Sequence, residues 1–178
     1  MMGPVQIIVL LVALQRLGEL LYARRNTRRL LAEGAVEVGA VHYPFLVGLH
    51  AAWLIVLAAL VPPEAEPSWF LLAVFLLLQA GRLWVLASLG RFWTTRIISL
   101  PGVPLVRAGP YRYCRHPNYL IVAAEIAVLP LAFGAWNIAL AFTVLNAGLL
   151  LRRIKLEEEI LADRRATLTH RPEHQPQP

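Results

Sequence analysis

The longest apolar stretch of the chain runs from residue 119 to residue 151 and reads YLIVAAEIAVLPLAFGAWNIALAFTVLNAGLLL. It contains one charged residue, Glu125. As a single helix it would be about 50 Å long, whereas the hydrocarbon core of a bilayer is about 30 Å thick. Pro130 and Gly134 lie near its middle and disfavour a continuous helix. The stretch therefore predicts two short membrane helices joined as a hairpin.

Three further apolar stretches precede this hairpin, at residues 4–22, 41–61 and 69–89. Each is long enough to cross the hydrocarbon core as a helix. Of the 178 residues, 58% are hydrophobic and 16% charged, against roughly 45–50% and about 25% in soluble domains. This composition excludes a disordered chain, and the single cysteine, Cys114, excludes a disulfide framework. The sequence predicts an all-α integral membrane protein of about five transmembrane helices.

The cationic residues define the topology of this bundle. The chain has 17 Lys and Arg against 11 Asp and Glu. Fifteen of the 17 fall in the first connection, in the connection between the third and fourth helices, and after the fifth helix. Five spans place these three segments on one side, which the positive-inside rule makes cytoplasmic. We therefore expect the N-terminus outside and the C-terminus inside, and the basic excess needs no nucleic-acid partner to explain it.

Four charged residues lie within the predicted helices: Arg16, Glu19, Arg82 and Glu125. Ionisable groups at membrane depth are costly, which makes each a candidate functional residue. Arg16 and Glu19 are three residues apart on one helix and are expected to neutralise each other. Arg82 and Glu125 are consistent either with a structural pair or with a functional role. Glu125 is the better functional candidate, because it shares a helix with the motif that begins at residue 107.

That motif ends the longest polar connection, residues 90–118, and enters the fourth helix. Residues 107–119 read RAGPYRYCRHPNY and bring together three arginines, three tyrosines and a histidine. An interfacial anchor of arginines and tyrosines is the simpler interpretation. However, Pro110 and Pro117 restrict the backbone and would hold these side chains in defined positions. The spacing therefore favours a binding loop.

A second polar cluster follows the fifth helix and reads RRIKLEEEILAD, residues 152–163. Its apolar spacing predicts a helix leaving the membrane. Three consecutive glutamates, residues 157–159, suggest a cationic or polyhydroxylated ligand, although a solvated face with weak ion pairs is the alternative. Carboxylates for ribose hydroxyls, aromatic rings for adenine and guanidinium groups for an α-carboxylate fit S-adenosylmethionine. Other nucleotides would fit comparably.

The two motifs occur in order around the hairpin: Gly109-Pro110-Tyr111 and Arg115-His116-Pro117-Asn118-Tyr119 before it, Arg153 and Glu157-Glu158 after it. Over roughly residues 82–161 this pattern resembles the isoprenylcysteine carboxyl methyltransferase family of membrane enzymes. The first half of the chain is similar to a bacterial branch that accompanies type III polyketide synthases and methylates alkylresorcinols or alkylpyrones. The resemblance implies one membrane domain, 1–178, in a bacterial inner membrane. Its expected parts are acceptor-side helices (1–90), a cofactor core (91–161) formed by a cytoplasmic loop and a C-terminal helix, and a polar tail (162–178).

Carried over by position, the resemblance implies that His116, Pro117, Tyr119, Glu157 and Glu158 bind S-adenosylmethionine. Arg115 and Arg153 are implied neighbours of the cofactor or acceptor and, with Glu125, are the candidate catalytic residues. The implied reaction transfers a methyl group to a carboxylate or to a phenol or enol oxygen of a lipophilic acceptor, such as a prenylcysteine or a polyketide lipid. For a phenol, Glu125 or a histidine is expected to take the proton.

Three alternatives remain open at this point. A phospholipid or amine N-methyltransferase shares the motif, membrane sterol reductases carry a similar Arg-His-x-Asn-Tyr stretch, and a non-enzymatic helical protein could bind anionic lipid through the same loops. His42 and His50 lie eight residues apart on the second helix, where they line an acceptor pocket or bond between helices. Because no third ligand accompanies them, no metal site is predicted.

Overall fold

The computed structural model describes residues 2–39, 43–104 and 106–169, of which residues 160–169 are described by their backbone alone. The elements in chain order are α1 (Pro4–Ala32), β1 (Val36–Val38), α2 (Tyr43–Leu60), α3 (Trp69–Leu89), β2 (Ile97–Ser99), α4 (Pro117–Ala132) and α5 (Trp136–Thr169). Two 3₁₀ turns lie at Gly90–Phe92 and Gly109–Arg112. The architecture confirms the predicted all-α membrane fold.

Four of the helices, α1, α2, α3 and α5, are long and apolar enough to cross a membrane. Helix α4 has 16 residues, or about 24 Å, and is shorter than the hydrocarbon core. It continues through Pro130 to Ala132, and Gly134 then adopts a φ of 67° before α5 begins at Trp136. A positive φ is accessible to glycine at little steric cost. The predicted break is therefore confirmed.

Other boundaries differ from the sequence prediction. Helix α1 continues to Ala32 instead of ending at residue 22, because Ala23, Asn26 and Leu30 extend its buried face. Helix α5 continues to Thr169, so residues 162–169 of the predicted polar tail are helical, and residues 170–178 lie outside the described residues. The start of the second predicted helix, including His42, also lies outside them. The two strands were not predicted, since three residues are too few to show alternation.

Among the described residues the apolar core has two clusters, and the larger one lies in one half of the bundle. It is built by the start of α1, the end of α2, the start of α3 and the end of α4. Leu57 and Leu129 are fully buried there, whereas Phe70, Leu77 and Leu140 are largely exposed on the outer faces of their helices. An apolar exterior of this kind matches lipid, in which close packing, and not removal from water, holds helices together.

The basic segments meet at the opposite end of the bundle. Strands β1 and β2 pair antiparallel, which joins the first connection to the one between α3 and α4. The Arg153 guanidinium then donates to the Thr95 carbonyl oxygen at 2.8 Å, which joins α5 to the same connection. These contacts bring the three connections together at one end of the bundle, and the assignment of that end to the cytoplasm stays a prediction.

Core packing can be tested by comparing two leucines. Leu129→Ala opens a cavity at a fully buried position and should lower the free energy of unfolding by about 2 kcal/mol. Leu140→Ala is the control, because the Leu140 side chain is 68% exposed and faces outward. Thermal unfolding in one detergent measures both. Equal losses of stability would contradict the arrangement of the core.

Candidate functional site

A cavity of about 1050 Å³ lies at the basic end of the bundle. Its walls come from the end of α1, the segment from the end of α3 through β2, the loop before α4, and the facing sides of α4 and α5. Six of the residues predicted from the sequence line it: Arg115, His116, Tyr119, Arg153, Glu157 and Glu158. Pro117 and Glu125 do not. The two sequence motifs therefore meet in one place.

The Tyr119 hydroxyl joins the two motifs directly. It donates to Glu157 Oε2 at 2.6 Å and accepts from Arg153 Nε at 2.8 Å. Arg153 Nη2 also donates to the carbonyl oxygen of Thr95. Because Arg153 and Glu157 are four residues apart on α5, their side chains lie on one face of the helix. That face is fixed against α4 and against the segment before β2.

His116 lies beside this hydroxyl network. Its ring stacks on the Tyr119 ring, with centroids 5.3 Å apart and planes inclined by 12°. Its two ring nitrogens are 3.7 Å from a Glu157 oxygen and 3.8 Å from a Glu158 oxygen, too far for hydrogen bonds. His116 Nε2 is buried, and no hydrogen-bond partner for it exists among the described residues. Buried polar atoms are nearly always paired with protein atoms or water, so this nitrogen is open to a hydrogen bond with a ligand or a water molecule.

The backbone of the motif explains why these groups face the cavity. Gly109 has a φ of 56°, and a Cβ atom there would collide with the side chain of Ser88 on α3. The 3₁₀ turn that begins at Gly109 therefore packs closely against α3. His116 occupies the position before the first residue of α4, and Pro117 is that first residue, where a missing N–H costs nothing. Pro117 is buried and starts the helix.

The cavity has a mixed electrostatic lining. Five arginines contribute to it, Arg96, Arg107, Arg112, Arg115 and Arg153, against the two carboxylates of Glu157 and Glu158. Arg96 is paired with Glu37 through two contacts of 2.9 Å. Burial, together with the negative charge of Glu157, raises the pKa of the Tyr111 phenol above its ordinary value. That phenol is therefore neutral at physiological pH.

Glu125 lies outside the cavity lining, in a buried polar cluster between α1, α3 and α4. Arg16 Nη2 donates to its carboxylate at 2.6 Å and Gln79 Nε2 at 2.8 Å. Arg16 also lies 3.2 Å from Glu19, which confirms the predicted local pair. Arg82 lies 3.5 Å from Glu125, so these two residues, for which the sequence left a structural pair and a functional role open, are in contact. Removal of a proton by Glu125 stays a prediction.

Several contacts of the site could not be expected from sequence. Thr95 contributes a backbone carbonyl, which carries no signature in the side chains. Trp93 lines the cavity, although it reads as an interfacial residue, and so does Asn118, which belongs to the loop motif but was not among the predicted site residues. His50 bonds to the Leu46 carbonyl oxygen at 2.8 Å on its own helix and is absent from the cavity lining. Within the described ranges, no three His, Cys, Asp or Glu side chains form a potential metal site.

Comparison with known proteins matches the part of the chain that contains both motifs. The model of the isoprenylcysteine carboxyl methyltransferase family matches residues 71–163, just over half of the chain. The chain is 37% identical over 161 residues to the uncharacterized protein YpbQ of Bacillus subtilis, covering 88% of this chain and 96% of that one. It is 28% identical over 145 residues to an uncharacterized protein of Haemophilus influenzae, covering 78% and 83%. No solved structure matches the chain significantly.

The partly buried phenol of Tyr111 predicts a pH dependence of stability. Its folded pKa lies above the unfolded value of about 10, so the unfolded state loses its proton first as the pH rises. The contribution of this phenol to the free energy of unfolding is therefore fully present below pH 10 and decreases as the pH rises above 10. Thermal unfolding between pH 8 and pH 11 should show this fall, and Tyr111→Phe should reduce it. Tyr113→Phe, at an 83% exposed side chain, is the control. An unchanged slope in Tyr111→Phe would contradict the burial of this phenol.

Proposed function

Because the chain belongs to the isoprenylcysteine carboxyl methyltransferase family of membrane methyltransferases, we propose that it methylates an oxygen of a lipophilic acceptor with S-adenosylmethionine as donor. One observation carries the proposal: the Tyr119 hydroxyl bonds to Glu157 and to Arg153, which lie 38 and 34 residues away in the chain. The fold thus assembles both family motifs into one cavity.

The side chains of the cavity suit S-adenosylmethionine. Glu157 and Glu158 can accept hydrogen bonds from ribose hydroxyls and offset the charge of a sulfonium. His116 and Tyr119 offer stacked aromatic faces, and His116 Nε2 is a buried atom that needs a partner. Arg115, in the cavity wall, can hold an α-carboxylate by two parallel hydrogen bonds. The bound cofactor would supply a methyl group already activated for displacement.

For such a displacement the protein must mainly align the acceptor and exclude water. Arg153 is held by the Tyr119 hydroxyl and the Thr95 carbonyl oxygen, so its guanidinium is a fixed group beside the cavity. We assign to Arg153 and Arg115 the orientation of the acceptor oxygen. A carboxylate acceptor carries no proton to remove. For a phenol, His116 is better placed than Glu125 to accept the proton, because His116 lines the cavity and Glu125 does not.

The remaining wall of the cavity suits the acceptor. Ile97, Ile98 and Val106 line it together with Leu30 and Phe92. Ligand pockets commonly have volumes of roughly 300–1,000 Å³, so a cavity of about 1050 Å³ has room for a cofactor and part of a lipid. We propose that the apolar tail of the acceptor lies against this wall. A polyketide lipid or a prenylcysteine has the required amphipathic form.

The topology in the membrane is part of the proposal. Positive charge concentrates at the end of the bundle that holds the cavity. With that end in the cytoplasm, the cofactor enters from the aqueous phase and the acceptor from the bilayer. The N-terminus then lies outside the inner membrane of a bacterium and the C-terminus inside.

Binding of the cofactor can be tested within the run of three glutamates. Glu157→Gln removes a carboxylate that lines the cavity and holds Tyr119, and should weaken binding of S-adenosylmethionine at least about tenfold. Glu159→Gln removes an equal charge at an exposed position outside the cavity lining and should leave the affinity within about twofold. Isothermal titration of the detergent-solubilised protein measures both. Equal effects would contradict the site, and absence of binding by the wild type would contradict the function.

The acceptor class can be determined from the stability of the product. Wild-type protein incubated with methyl-labelled S-adenosylmethionine and a bacterial lipid extract should label an apolar product by O-methylation. Mild alkali releases the label from a carboxyl ester, whereas a phenol or enol ether retains it. Labelled methylated phosphatidylethanolamine would support the N-methyltransferase alternative instead. Arg153→Ala should lower the rate of labelling, because it removes the fixed guanidinium at the cavity.

A further inference from the structure

A closed ring of polar side chains lies inside the bundle, away from the cavity lining. Gln15 Nε2 donates to Glu19 at 3.0 Å and to Gln79 at 2.9 Å. Gln79 donates in turn to Glu125, and Arg16 donates to both carboxylates. The ring joins α1, α3 and α4, and together with Arg82 inside it the cluster has two carboxylates and two guanidinium groups.

Arg82 occupies the centre of this ring and is 6% exposed. Its Nε and Nη2 donate to Glu19 at distances of 2.6 to 2.9 Å. Its Nη1 donates to Asn118 Oδ1 at 3.4 Å and to Glu125 Oε2 at 3.5 Å. Asn118 and Glu125 are seven residues, about two turns, apart on α4. One guanidinium group therefore contacts α4 in its first and third turns and anchors them to α1.

Arg82 also reaches the cavity wall from inside the ring. Asn118 and Trp93 both line the cavity. The Arg82 guanidinium lies 5.8 Å from the centre of a Trp93 ring, and Asn26 donates to the Trp93 carbonyl oxygen at 2.9 Å. Within the described residues, no contact of Gln15 or Gln79 with a residue of the cavity lining occurs among the ring's hydrogen bonds. Arg82 therefore contacts residues of the cavity lining, whereas the ring's hydrogen bonds do not connect Gln15 or Gln79 to that lining.

Stability alone gives a weak reason for keeping such a group in the membrane. Buried ion pairs are often replaceable by well-packed apolar residues at no cost in stability, although removing one partner alone is costly. Charged residues are rare in transmembrane helices, because placing a charge inside the membrane is costly. A fixed geometry that apolar side chains cannot provide is a better explanation. The geometry that Arg82 fixes is the start of α4, where His116 and Tyr119 stand.

We propose that Arg82 is a positioning residue for the cofactor site: it holds the first turns of α4, and through them His116 and Tyr119, in the arrangement that binds S-adenosylmethionine. The inference rests on the proposed function. Arg82 does not line the cavity itself and acts through Asn118 and Trp93. Substitution of Arg82 should therefore weaken cofactor binding in addition to any decrease in protein stability.

The test compares Arg82→Lys with Gln79→Met in full-length protein solubilised in detergent. A lysine keeps the charge beside Glu19 and Glu125, but its single ammonium group cannot also reach Asn118 with the fork geometry of arginine. Both variants should lower the midpoint of thermal unfolding, since each removes hydrogen bonds from the ring. Arg82→Lys alone should weaken binding of S-adenosylmethionine in calorimetry, by about tenfold, while Gln79→Met stays within about twofold of the wild type.

A double-mutant cycle with Asn118→Ala tests the route of the effect. In the Asn118→Ala background, Arg82→Lys should cause a much smaller further loss of affinity, because the contact is already absent. Wild-type affinity in Arg82→Lys, or an equal loss in both backgrounds, would overturn the inference while leaving the proposed function standing. Absence of binding by the wild type would overturn both.

A second pair of variants tests the same inference if the Arg82→Lys protein does not fold. Asn118→Asp retains an acceptor for Arg82 and adds charge to the contact, whereas Asn118→Leu removes the acceptor at similar volume. Asn118→Asp should bind S-adenosylmethionine more tightly than Asn118→Leu by about tenfold. Equal affinities of these two variants would overturn the inference.

Discussion

A carboxylate inside the hydrocarbon region must be matched by positive charge, and the arrangement of α1, α3 and α4 depends on that constraint. Glu19 and Glu125 lie on different helices, and Arg16 and Arg82 contact both of them. These contacts exist in one register of the three helices. Apolar packing cannot select a register as sharply, because leucine packs about as well against lipid as against a neighbouring helix.

The same register determines where the site is built. Helix α4 begins directly after the loop motif, so any shift of α4 along its axis moves His116 and Tyr119 relative to α5. Helix α5 extends beyond the apolar hairpin as one continuous helix and carries Arg153 and Glu157 on the face that meets Tyr119. The cavity thus depends on two alignments. One is that of α4 with α1 and α3 within the bundle, and the other is that of the extended part of α5 with the start of α4.

The sequence predicted the features that depend on neighbouring residues. Pro130 and Gly134 indicated the break between α4 and α5, and the spacing of Arg16 and Glu19 indicated their pair. The motif residues of α4 and α5 were identified because their order around the hairpin resembles a known family. Their meeting in space followed from that resemblance and not from spacing alone.

The features that the sequence did not predict depend on residues far apart in the chain. Glu19 and Arg82 are 63 residues apart, and no local pattern links them. Gln15 and Gln79 carry no charge and read as tolerated polar residues in apolar helices, although they close the ring. The Thr95 carbonyl oxygen belongs to the backbone, which is the same for every residue type. The strand pair β1–β2 is likewise defined by partners from separate connections.

The position of the cavity at the end of the bundle follows from the two kinds of surface it combines. A charged, water-soluble ligand needs carboxylates and guanidinium groups, which are costly at membrane depth and cheap where helices emerge from it. A lipid needs an apolar wall continuous with the bilayer. Only at the membrane surface can one cavity offer both at low cost. The Glu157 and Glu158 carboxylates on the extension of α5 and the apolar side chains of β2 line one cavity at the basic end of the bundle, and the proposed reaction needs both kinds of surface.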